Sequence, residues 1–144
     1  MDYSKIEESL IKIYCEIPNF ECKNCHKCCN DIIWFKPENY LIRNYLKDHN
    51  INFLKLYTKK YKINSKKCMF LTKKGCIIYP VRPIVCRLQG LIKDLPCKNN
   101  KKIFLSNKKL KKIKNDFNKI IFETNSNNTL YTTRILGNDI NNTK

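Results

Sequence analysis

Apolar positions recur at helical spacing in four stretches of the chain and as short unbroken runs in three places. Ile6, Leu10, Ile13, Tyr14 and Ile17 follow one helix face and Pro18 stops it, which predicts a helix over about residues 4–15. Ser4-Lys5-Ile6-Glu7 has the pattern in which a Ser hydroxyl and a Glu three residues later satisfy the first free amides, so Ser4 is the expected cap. Pro37 suits the first turn of a second helix carrying Tyr40, Leu41, Tyr45 and Leu46. A third helix is expected over 51–61, with Phe53, Leu54, Tyr57 and Tyr61 on one side. Ser106 is placed to cap a last helix, 106–123, whose apolar face is Leu110, Ile113, Phe117, Ile120 and Ile121. Its opposite face holds Lys108, Lys109, Lys111, Lys112, Lys114 and Lys119.

Among the unbroken runs, Ile32-Ile33-Trp34-Phe35 predicts a short buried strand. Cys68-Met69-Phe70-Leu71 and Cys76-Ile77-Ile78-Tyr79 flank the polar Thr72-Lys73-Lys74-Gly75 and predict a β-hairpin. In that hairpin Cys76 follows the turn while Cys68 opens the first strand, so the pairing alone does not bring the two sulfurs together. Residues 19–31 are polar and aperiodic and read as a loop. Residues 124–144, rich in Asn and Thr, read as a mobile tail in which Leu130, Tyr131, Ile135 and Leu136 are able to dock.

Composition changes this picture in two ways. The 144 residues fit one domain, expected over 1–123, and no run approaches the ~20 apolar residues of a membrane span. The formal charge is +17, but 25 of the 29 basic residues are Lys, alongside 19 Asn, 19 Ile and no Ala. That profile matches a gene biased toward A and T, so the lysines alone do not argue for a nucleic-acid partner. The second outlier is nine cysteines. The N-terminus lacks the basic-then-apolar layout of an export signal, which makes the reducing cytoplasm the expected compartment, where thiols stay reduced or bind metal. An odd cysteine count also sits badly with a complete disulfide set.

The cysteines fall into two groups. Cys22-x2-Cys25-x2-Cys28-Cys29 packs four into eight residues. Each C-x2-C step curls the backbone so that two sulfurs face one ion, and Zn²⁺ or an iron–sulfur cluster takes such thiolates. The run also matches the first three ligands of a bacterial ferredoxin cluster, although Cys29 follows Cys28 directly. Adjacent cysteines point in different directions, so Cys28 and Cys29 need not serve the same ion. The second group is Cys68, Cys76, Cys86 and Cys97, with Arg82 and Arg87 flanking Cys86. Those arginines either favour thiolates or are surface residues and carboxylate partners. Together the groups supply eight candidate ligands, enough for two four-thiolate ions or one cluster with spares. His26 reads as a solvated loop residue, and Cys15 as a buried helix residue.

Cys22-x2-Cys25-x2-Cys28-Cys29, then Cys68-Met69-Phe70-Leu71, then Cys76-Ile77-Ile78-Tyr79-Pro80-Val81-Arg82-Pro83-Ile84-Val85-Cys86-Arg87 resembles the YkgJ-type cysteine-cluster family, also described as a zinc- or iron-chelating CxxCxxCC domain. The resemblance covers about residues 20–97 and implies metal chelation by cysteines rather than any particular reaction. A related cysteine-rich domain occurs in flagellin lysine methylases, which keeps a modification enzyme in view; the three glycines, 75, 90 and 137, form no cofactor loop.

Three functions follow from these residues. The first is a small cytoplasmic protein that chelates zinc or iron, as ions or as an iron–sulfur cluster, at one or two sites. The second is an iron–sulfur redox or protein-modifying enzyme, although two histidines and no evident carboxylate pair leave few acid–base candidates. The third is nucleic-acid binding through the 106–123 helix with Tyr57 and Tyr61, without any zinc-finger or RNA-binding fingerprint. The expected architecture is a mostly helical α+β domain with one hairpin and cysteine-rich metal-binding loops.

Overall fold

The structure is a computed structural model, and it describes residues 2–19, 22–23, 25–30, 32–63, 66–99, 104–124 and 130–131. The first helix, α1, spans Tyr3–Glu16. Its cap is Asp2 rather than the expected Ser4: the Asp2 carboxylate accepts from the Ser4 amide at 3.2 Å and the Ser4 hydroxyl at 2.8 Å. A charged oxygen at the positive end of the helix dipole outcompetes the neutral hydroxyl two residues on. Ile6, Leu10, Ile13 and Tyr14 are buried as the spacing requires. Cys15 is exposed, which corrects the expectation of a buried residue. At 100° per residue it lies about 180° from Ile6, on the solvent side of the helix.

The strand β1 is confined to Trp34–Phe35, shorter than the apolar run, and leads directly into α2, Lys36–Asp48. Trp34 is fully buried, whereas Ile33 is 47% exposed. Along α2 the buried residues are Pro37, Glu38, Leu41, Ile42 and Leu46; Tyr40 and Tyr45, expected on the apolar face, are half-buried. Helix α3 runs Phe53–Ile63, with the Asn52 side chain accepting from the Lys55 amide at 2.9 Å. Phe53 is buried beneath the Arg43 guanidinium, 3.5 Å from its ring centroid, while Leu54 is half-exposed instead of packed. Leu56 takes its place against the core. The Tyr61 side chain lies outside the described residues.

The hairpin forms from β2, Leu71–Thr72, and β3, Gly75–Cys76, with Leu71 opposite Cys76 and Thr72 opposite Gly75. It is shorter than the flanking apolar runs because Tyr79–Val81 turn into a 3-10 segment. Gly75 has φ of +112°, a backbone conformation that side-chain-bearing residues rarely adopt, and this is what the Gly-ending turn requires. A short helix, α4, follows at Ile84–Leu88, and α5 spans Asn107–Glu123 with Ser106 accepting from the Lys109 amide as expected. Leu130–Tyr131 form β4, which pairs antiparallel with β1 and makes a second two-stranded ribbon beside the hairpin. Residues 125–129 and 132–144, including Ile135 and Leu136, lie outside the described residues.

The result is a small α+β domain, mostly helical, with two buried clusters. One joins α1, α4 and α5 through Leu10, Ile13, Leu88, Ile113 and Phe117; the other joins Trp34, Ile42, Leu46, Phe53, Phe70 and Ile78. Helix α2 contributes Leu41 to the first and Ile42 and Leu46 to the second, so it ties the two together. Among the described residues, no helix is long and apolar enough to cross a membrane.

Candidate metal centre

A short antiparallel bridge between Asn30 and Lys67 sets the geometry of the first cysteine group. The Cys68 amide donates to the Cys29 carbonyl at 3.0 Å, and the Lys67 ammonium donates to the His26 carbonyl at 2.8 Å. Within the loop, the Cys29 amide reaches back to the His26 carbonyl at 3.2 Å. His26 adopts a left-handed backbone, φ 58°, which curls the chain between Cys25 and Cys28. Residues 26–30 of the loop are therefore held by backbone hydrogen bonds and by the Lys67 side chain.

The second group reaches the same place by three routes. The Leu71 amide returns to the Cys68 carbonyl at 3.1 Å, so a turn folds Cys68 back while the hairpin register sets Cys76 opposite Leu71. Cys86 is carried by α4. Cys97 arrives after a bridge between Ile92 and Leu95, and two residues later the Asn99 side-chain amide donates to the Cys25 sulfur at 3.6 Å. Cys22, Cys25, Cys28, Cys29, Cys68, Cys76, Cys86 and Cys97 all line one cavity of about 440 Å³. His26, Arg82 and Arg87 also border it, and Cys15 does not.

The eight thiols share the cavity without converging. Among the described residues, no group of three or more His, Cys, Asp or Glu side chains is already disposed to hold one ion. No disulfide joins any of the nine cysteines. Burial and neighbouring sulfurs disfavour the thiolate form at four of these cysteines. Burial pushes the Cys86 thiol far above its ordinary range, and the neighbouring Cys68 and Cys76 push it further. Burial, then the charge of Cys29, raises Cys28 to about 11. Cys29 is raised by burial and by Cys68, and Cys76 by burial, which outweighs the lowering influence of Arg82. Several thiolates in one small volume repel one another unless a cation offsets them, and the attraction of a bound thiophilic cation opposes each of these neighbouring-charge effects. The donor set fits zinc or iron by its chemistry, eight cysteine sulfurs lining one cavity.

Arg82 and Arg87 do not neutralise the sulfurs outright. Arg82 donates to the Tyr79 carbonyl at 2.8 Å and the Asn19 side chain at 2.9 Å, while its guanidinium lies 3.9 Å from the Tyr79 ring centroid. Arg87 holds the carbonyls of Arg82 and Pro80 at 3.0 and 2.7 Å and stacks 4.0 Å over the Tyr14 ring. Both therefore brace the backbone around Cys86.

One residue beside the site had no sequence signal. Glu38 is fully buried, and its carboxylate accepts from the Tyr14 hydroxyl at 2.8 Å, the Ile84 amide at 2.6 Å and the Phe35 amide at 3.0 Å. Burial raises its pKa, although all three donors and the Arg87 charge favour the carboxylate. An N-terminal Glu three residues after Phe35 resembles no capping box, because Phe carries no hydroxyl or carboxylate.

Comparison with known proteins adds one match. The CxxCxxCC family, described as a "putative zinc- or iron-chelating domain", matches residues 21–115. That span contains all eight cavity cysteines and excludes Cys15. No curated protein and no solved structure matches the chain.

Proposed function

The chain belongs to the CxxCxxCC domain family, and from that premise we propose that it is a small metal-binding protein whose cysteine cavity takes up zinc or iron. The observation that supports this reading is that eight cysteines, from sequence segments as far apart as residues 22 and 97, line one cavity of about 440 Å³. Packing alone does not need so many sulfurs in one place. A bound thiophilic cation would supply positive charge to the sulfurs, and iron would add one-electron chemistry.

The chain's own part is to present reduced sulfurs from pre-formed turns. The Asn30–Lys67 bridge fixes the Cys22–Cys29 loop against Cys68, the hairpin sets Cys76, and α4 sets Cys86. The thiolates of these cysteines would hold a bound zinc or iron ion. Thiols held in this way suit a reducing compartment such as the cytoplasm.

Protein purified without oxygen is expected to carry at least one equivalent of zinc or iron by elemental analysis. Less than one equivalent of any metal, with every thiol titrating as free, would overturn the proposal. A brown protein absorbing at about 400 nm that bleaches on reduction assigns an iron–sulfur cluster, and a colourless zinc protein assigns zinc.

A further inference from the structure

The fully buried Glu38 has no role in ligation, yet its three hydrogen bonds join three separate elements: Tyr14 on α1, Phe35 on β1 and Ile84 at the start of α4. Burying a carboxylate is costly unless its oxygens are well satisfied, so so complete a set of donors at one point calls for a structural reason. The reason lies in α4. A helix of five residues is far too short to hold itself, and its orientation must be imposed from outside. Its N-cap is Pro83, which has no side chain able to cap the first amides. Glu38 takes over that task from another helix, accepting the Ile84 amide at 2.6 Å.

The far end of α4 is gripped through the same cluster. Arg87 stacks on the ring of Tyr14, whose hydroxyl is bonded to Glu38, and its guanidinium holds the carbonyls of Pro80 and Arg82. Cys86 lies between these two anchors, two residues after Ile84 and one before Arg87. Rotating or sliding α4 would break the Glu38–Ile84 bond, the Arg87–Tyr14 stack, or both.

We infer that Glu38, with Tyr14, is a positioning residue for the metal centre: it clamps α4 so that the Cys86 sulfur is aimed into the cysteine cavity. The inference rests on the metal-binding reading above. It differs from a general stabilising role because its effect passes through one sulfur. Partners that orient a metal ligand typically change affinity by about 10–100-fold when removed.

The test measures zinc affinity of the full-length protein, anaerobically, by competition with a chromophoric chelator, for wild type, Glu38→Gln, Cys86→Ser and the double variant. Glu38→Gln keeps the shape but turns a donor toward one of the three donors it must accept. It is expected to weaken zinc binding about tenfold or more in the native background and less than about twofold in the Cys86→Ser background. Alkylation of the metal-free protein, read by mass spectrometry, is expected to label Cys86 several-fold faster in Glu38→Gln while Cys25 labels at the wild-type rate. Equal losses in both backgrounds, or unchanged Cys86 labelling, overturn the inference and make Glu38 a general stabiliser. Wild-type affinity in Glu38→Gln overturns it while leaving the metal-binding reading intact. A wild-type protein that takes up no zinc or iron overturns both. If Glu38→Gln does not fold, Tyr14→Phe carries the same comparison, removing one hydrogen bond and keeping the ring under Arg87; its expected loss is several-fold and again confined to the background that retains Cys86.

Discussion

The nine cysteines differ in what surrounds each sulfur, and their behaviour should differ accordingly. Cys15→Ser is expected to leave metal content unchanged, because Cys15 faces solvent on α1 outside the cavity. Cys29→Ser and Cys86→Ser are each expected to weaken uptake without abolishing it, measured by zinc competition on protein purified in parallel. The raised thiols at Cys28, Cys29, Cys76 and Cys86 also set a pH dependence. A cation must displace the proton from each sulfur it binds, so apparent zinc affinity should fall with pH, by about tenfold per unit for every proton released. The metal-free protein carries the opposite linkage. Those four thiols have higher pKa values folded than unfolded, so their contribution to stability is complete below about pH 9 and is lost as pH rises through the folded values. Chelator-treated protein should therefore have a lower Tm at pH 10 than at pH 8. At this scale the sequence was largely legible for the sulfurs, since C-x2-C spacing is local. It was silent on Glu38, because a carboxylate buried by contacts 24 and 46 residues away leaves no local pattern.

Helices α1, α2 and α5 follow their apolar periodicity closely, and the deviations have plain causes. Ile113 is 1% exposed at the centre of the α1–α5 contact, so Ile113→Ala should cost about 2–5 kcal/mol in denaturant unfolding. Phe122, one residue after the buried Ile121, is 71% exposed; Phe122→Ser is expected within about 0.5 kcal/mol of wild type. Ser106→Ala removes the acceptor of the Lys109 amide and should cost about 1 kcal/mol. The lysine face of α5 is partly engaged, with Lys112 at 2.7 Å from Glu16 and 3.1 Å from Asp116. Exposed pairs of this kind contribute little to stability. Leu54 shows the limit of periodicity, being 50% exposed on a face expected to pack, and exposed Cys15 shows the limit of reading burial from residue type.

At the scale of the whole molecule, two modest apolar clusters flank a cavity whose walls are loops, a hairpin and a one-turn helix. Such walls have few contacts of their own, and structural metal commonly supplies folding free energy of about 10–16 kcal/mol in small cysteine domains. Removing metal with a chelator should accordingly lower the Tm by well over 10 °C and restore it on zinc or iron addition, with the helical α1–α5 cluster losing structure last. Hydrogen exchange followed by mass spectrometry would check the order: residues 22–30 and 66–99 are expected to lose protection first.

The sequence by itself determined α1, α2, α3 and α5, the hairpin turn at Gly75 and the eight sulfurs available for a metal, but not α4, because periodicity, turn conformation and C-x2-C curling are properties of neighbouring residues. Only the tertiary structure decided that those sulfurs share one cavity, that Cys15 is excluded from it, and that Glu38 and Tyr14 hold α4 beside it. The physical reason is common to all three. A buried hydrogen-bond acceptor, and a sulfur that shares a cavity with another 40 or 60 residues away, depend on how the elements pack, and packing is set by the sum of apolar contacts across the molecule rather than by any local pattern.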